Sequence, residues 1–160
     1  MASSTFRQIE SGPTFELYEG PTCLMRVDWA NSVYRSIHVG HVSAECAAPL
    51  LRRNDMWIRV GQSPFVVFHE MWAVTGYESG FRVEMTKWAE KHRGAVKEVH
   101  MLTQSKIVSM AISVVGLALP GLMKGYSKRQ DFDILVKKAG LPLNPPMPVF
   151  SASPSAGVAR

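Results

Sequence analysis

Phe65-Val66-Val67-Phe68 is an unbroken apolar run between Pro64 and His69. A strand with one wet face alternates apolar with polar side chains, so a run without alternation needs cover on both faces. This makes it an inner strand of a mixed sheet with helices packed on it. The flanking segments supply such helices. Residues 43–60, entered or broken at Pro49, place Leu50, Leu51, Trp57 and Ile58 on one helical face, with Arg52, Arg53 and Arg59 outside it. Downstream, Thr75 and Glu78 have the spacing of a capping box. Phe81, Met85, Trp88 and Ala89 then recur at helical intervals until Gly94.

The remaining elements follow from the same two periods. Residues 14–19 and 23–29 alternate around Gly20-Pro21 and read as an antiparallel hairpin. Met25, Val27 and Trp29 point one way along its second arm, Arg26 and Asp28 the other. Residues 33–39 hold a further short strand, 96–103 alternate as a strand, and 123–126 form another. Ser127 and Gln130 have the spacing of a second capping box, before a helix carrying Phe132, Leu135, Val136 and Ala139 on one face and ending at Gly140 and Pro142. The expected fold class is α/β: a mixed sheet opened by an N-terminal hairpin, with about four helices packed on it. Residues 1–13 are expected to be an extension, 14–142 the domain, and 143–160, rich in Pro, Ser and Ala, a flexible tail.

Of the 160 residues, 46% are hydrophobic and 19% charged, a globular composition and not a disordered one. The net charge of +5 is spread along the chain, with its densest clusters at Arg52-Arg53, 87–93, 124–129 and Lys137-Lys138. A scattered excess of this size serves solubility more than a nucleic-acid surface, so no nucleic-acid partner is expected. Residues 107–123 carry no charge, but Pro120 and Gly121 interrupt them. The helical part leaves roughly 14 residues, too short for a membrane span. It is read as a buried core helix; a face left uncovered by the sheet would be an apolar patch, suited to a homodimer interface or a lipid-facing groove.

Cys23 and Cys46 sit among apolar or small residues and read as buried free thiols, neither a disulfide framework nor a zinc site. The first twelve residues lack the apolar stretch of a secretory signal. Together these lead us to expect a cytoplasmic protein. His38 and His41 lie three apart without a third ligand, and the sequence has no glycine-rich phosphate loop and no nucleophile elbow, so neither metal nor cofactor is expected. His69-Glu70, at the end of the inner strand, is the one pair on which an enzyme could be built, but neither His92 nor His100 is linked to it by spacing. Trp72, read in a loop before Thr75, is either an exposed hot spot for a partner or a lid over the core edge.

The element order from Phe15 to Gly140 resembles the STAS domain, the fold of bacterial anti-sigma-factor antagonists and of the cytoplasmic regions of sulfate transporters. In the antagonists, the helix after the inner strand opens with Asp-Ser-Ser-Gly-Leu, whose second Ser is phosphorylated by a partner kinase. Here Ser79-Gly80-Phe81 match the last three positions, while Tyr77 and Glu78 replace the Asp and the first Ser. The resemblance implies a non-enzymatic regulatory module with a protein partner, kinase-like or another regulator. It implies a partner surface over Trp72, Thr75, Tyr77, Glu78, Ser79 and Gly80, with Ser79 as the phosphorylation candidate. The alternative is a small-molecule or lipid carrier using the apolar helix between Ile107 and Leu119.

Overall fold

The computed structural model describes residues 5–150. Seven strands form one sheet in chain order: β1 (Arg7–Ser11), β2 (Phe15–Glu19), β3 (Cys23–Ala30), β4 (Val33–Val42), β5 (Phe65–Tyr77), β6 (Val96–Leu102) and β7 (Met123–Tyr126). Strands β1 to β4 are antiparallel neighbours, and β4 to β7 run parallel. Each parallel step needs a long connection, and a helix supplies it: α1 (Ala47–Arg59), α2 (Ser79–Lys91) and α3 (Lys106–Ala118). The last helix, α4 (Arg129–Lys138), follows β7.

The pleat divides the core in two. Met25, Val27, Tyr34 and Val67 pack with Leu50 and Trp57 of α1, Phe81 and Trp88 of α2 and Val108 of α3. Phe68 and Leu102 pack on the opposite face against Phe132 and Val136 of α4. The run at 65–68 is therefore covered on both faces, as its lack of alternation requires. The mixed sheet, the opening hairpin and the four helices match the expected fold class.

Four local features differ from the sequence reading. Residues 7–11 pair with β2 and add an edge strand to the expected hairpin; they are exposed and, apart from Ile9, polar, without the alternation that marks a half-buried strand. Strand β5 runs to Tyr77, so Trp72 and Thr75 lie in a strand and not in a loop. Neither expected capping box forms: the caps of α2 and α4 are Glu78 and Lys128, with no side-chain cap hydrogen bond. Finally, residues 142–150 are not free of the domain. The Pro142 and Leu143 carbonyls accept from Arg35, and the Pro146 carbonyl accepts from Arg26 at 3.0 Å. Phe150 reaches Gly40, where a Cβ would collide with its ring and with the Thr22 carbonyl. The rest of the expected tail, 151–160, lies outside the described residues.

Arg26 and Asp28, assigned by alternation to the hairpin's outer face, are buried on that face. Asp28 joins both guanidiniums, at 2.9 Å to Arg26 and 3.6 Å to Arg35. Burial lowers the pKa of Arg35, and Glu70 and Asp28 oppose that shift.

Helix α3 is capped by Ser105, whose side chain accepts from the Val108 amide. Only Val108 of this helix is fully buried, while Ile107, Met110, Val114 and Leu117 form an outward apolar strip. The expected core helix thus has one covered face and one exposed. No helix of the described residues is long and apolar enough to cross a membrane.

Candidate functional site

The end of β5 and the start of α2 project Glu78 and Ser79 into solvent, with Tyr77 and Gly80 half-buried beside them. Two contacts fix this junction. The Glu78 amide donates to the Val42 carbonyl at 2.8 Å, continuing the β4–β5 pairing one step past the strand. The Glu78 carboxylate turns away from its own helix and accepts the Ala44 amide at 2.7 Å. Ala44 belongs to the 3-10 turn Ala44–Cys46 that leads into α1. Gly80 lies against this turn, and a Cβ there would stand 3.0 Å from the Ala44 Cβ. Ser79 is the first residue of α2, where exposed amides and the helix dipole favour an acceptor or an anion.

Of the expected partner residues, the structure groups Tyr77, Glu78, Ser79 and Gly80 at this junction, with exposed Thr75 two residues before. Trp72 stands apart. It is half-buried on the α4 face, with the Arg129 guanidinium 5.2 Å from its ring centroid and Gln104 donating to its carbonyl.

His69 and Glu70 are brought together in sequence only. Neighbours in a strand point to opposite faces, and Glu70 pairs with Arg129 at 2.7 Å on the α4 face while His69 enters the larger core. There a polar string appears that the sequence reading missed. The Ser36 hydroxyl lies 2.5 Å from His69 Nδ1 and 2.8 Å from His38 Nε2, with all three side chains buried. Burial holds His69 down to about 4; burial and the neighbouring His69 hold His38 down to about 3. Both rings are neutral near pH 7, and among the described residues no carboxylate bonds to either of them. The readable signal was the strand period: Tyr34, Ser36 and His38 share one face of β4. Among the described residues, no group of three or more His, Cys, Asp or Glu is placed to hold a metal ion.

Cys46, the last residue of the 3-10 turn, and Cys23 of β3 are buried free thiols, as expected. Their sulfurs lie 3.4 Å apart, a proximity that the spacing of 23 residues did not show. The hydrogen bond from Cys46 lowers the Cys23 pKa to about 6, and the same contact, with burial, raises that of Cys46.

No family model matches the chain, and neither does any curated protein. Solved structures do. An anti-sigma factor antagonist from Mycobacterium paratuberculosis superposes with a TM-score of 0.50 at 16% identity, covering 80% of this chain and 99% of that one. An uncharacterised protein of the DUF3478 family with a SpoIIAA-like fold, from Shewanella loihica, gives 0.49 at 16% identity over 77% of this chain and 94% of that one. The anti-sigma factor antagonist SpoIIAA in its unphosphorylated form gives 0.48 at 9% identity over 69% and 96%.

Proposed function

We propose that this chain, which has the fold of the anti-sigma-factor antagonists, is a non-enzymatic regulatory module that docks a protein partner through the β5–α2 junction. The observation that carries the reading is the tie between Glu78 and Ala44, which holds the exposed Glu78-Ser79 step in one conformation against the 3-10 turn. A preorganised surface loses less conformational entropy on binding than a loop that must be ordered.

Ser79 is the residue through which such a surface would be switched. A phosphate on its hydroxyl would gain from the start of α2 and be repelled by the Glu78 carboxylate one residue away. The two effects oppose each other, so the phosphate would act by adding bulk and charge to the contact surface more than by ordering it.

The test is affinity capture with the wild type, Ser79→Asp, Gly80→Trp and Lys138→Glu, the last an exposed change on α4. A specific partner should be lost with the first two variants and kept with the third. A partner retained by Ser79→Asp and Gly80→Trp would place the docking surface elsewhere.

A further inference from the structure

Between the sheet and helices α2 and α3 lies a cavity of about 110 Å³. Val67, Met71 and Met101 of the sheet, Met85 and Trp88 of α2 and Ala111 of α3 give it a largely apolar wall. Tyr34 and Asn54 also line it, and they are 0% and 2% exposed. The Asn54 amide acts on the Tyr34 phenol as a weak hydrogen-bond donor and opposes the upward shift that burial imposes. The contact falls short of full hydrogen-bond geometry, and Tyr34 Oη and Asn54 Oδ1 both remain unsatisfied among the described residues. Two unpaired polar atoms beside an apolar void are costly unless something enters to pair them.

Water satisfies only one end of this arrangement. Tyr34 and Asn54 offer it two polar partners, the low end of the two to four a buried water needs, and a water seated there leaves the space among Met71, Met85 and Met101 empty. A dry apolar cavity of ~150 Å³ takes a benzene ring; this one, at about 110 Å³, is somewhat smaller and takes a single ring only if its wall moves outward. Among the described residues the lining contains a single charged side chain, Arg82, which is half-exposed. A carboxylate or phosphate seated at the buried end would therefore be left unpaired.

We propose that the cavity binds a small uncharged molecule with a cyclic hydrocarbon body and one hydroxyl, a phenol or a cyclic alcohol, whose hydroxyl donates to Asn54 Oδ1 beside Tyr34 Oη. The ring fills the space among the methionines, and α3, of which only Val108 is fully buried, is the wall that yields to admit it. Tyr77 and Phe81 also line the cavity, on either side of Ser79, so an occupied cavity bears on the start of α2. That last link alone rests on the partner reading; binding itself does not.

The experiment titrates p-cresol and toluene into the purified full chain, following tryptophan fluorescence, thermal unfolding and methionine-methyl NMR. The expected result is saturable binding of p-cresol with a raised melting temperature. Toluene should bind about tenfold more weakly, the worth of one hydrogen bond, and Asn54→Leu should abolish that preference. The methyls of Met71, Met85 and Met101 should shift, while that of Met56, exposed on α1, should not. Ala111→Phe, which fills the void, should lose both ligands. Three results would overturn the proposal: no binding by the wild type, equal affinity for the two probes, or methyl shifts confined to residues outside the cavity. The methyl readout decides the matter even if Ala111→Phe fails to fold, and none of these measurements involves a protein partner.

Discussion

The Glu78 carboxylate and the Ala44 amide meet at 2.7 Å, linking the start of α2 to the turn that begins α1. A carboxylate placed to cap its own helix serves that turn instead. Glu78→Ala should cost about 0.5–1 kcal/mol in denaturant unfolding, the usual net worth of an accessible hydrogen bond. Glu78→Gln, which keeps an acceptor, should cost less. Equal losses for the two would mean that the bond does not hold the junction.

Asp28 carries the only carboxylate paired with both Arg26 and Arg35 among the described residues. Asp28→Asn leaves two buried guanidiniums without that charge and should destabilise the fold by about 3–5 kcal/mol. Truncation after Gly140 should also destabilise it, because it removes buried Leu141 and the carbonyls of Pro142, Leu143 and Pro146. Chemical denaturation of the truncated chain checks this; unchanged stability would return 142–150 to the status of a free tail.

His38 and His69 make the fold sensitive to acid. Their folded pKa values, about 3 and about 4, lie below the ordinary 6.5. Between these limits the unfolded chain binds more protons than the folded one, so stability rises with pH. The stability should be fully present above about pH 6.5 and fall progressively toward pH 4, with a limiting slope of ~1.4 kcal/mol per pH unit for each histidine. His38→Phe should flatten this slope in a series of unfolding curves. A slope unaltered by that change would assign the acid sensitivity to other groups.

Cys23 and Cys46 are close enough to cross-link. Hydrogen peroxide should convert the two thiols into one disulfide, with two waters formed and two hydrogens lost from the protein. Intact mass should fall accordingly in the folded wild type and not in Cys46→Ser. Because both thiols are fully buried, the rate should follow opening of the 3-10 turn and rise in Glu78→Ala.

The alternating β and α periods made most of the fold legible, because both report which face of an element is buried. What they missed was decided by distant partners. Residues 70–76 contain Glu, Thr and Gly and read as a loop, yet β4 pairs with β5 as far as Tyr77, and those hydrogen bonds override local preference. The burial of Arg26 and Arg35 depends on carbonyls more than 100 residues away, which no local pattern reveals. Of the candidate site, Tyr77 to Gly80 was readable as the opening of a helix, but with its cap at Thr75 and a loop before it; β5 instead runs to Tyr77 and α2 begins at Ser79. The Ser36–His38–His69 string needed the β4–β5 register, since only that pairing sets Ser36 beside His69.

Whether a protein partner touches the β5–α2 junction can be decided by site-specific photo-crosslinking. A crosslinking residue is placed in turn at position 79 and, as a control on α4, at position 138. One partner should be captured in the native host from position 79 and none from position 138. Capture from position 138 alone, or from both positions equally, would refute docking through the junction.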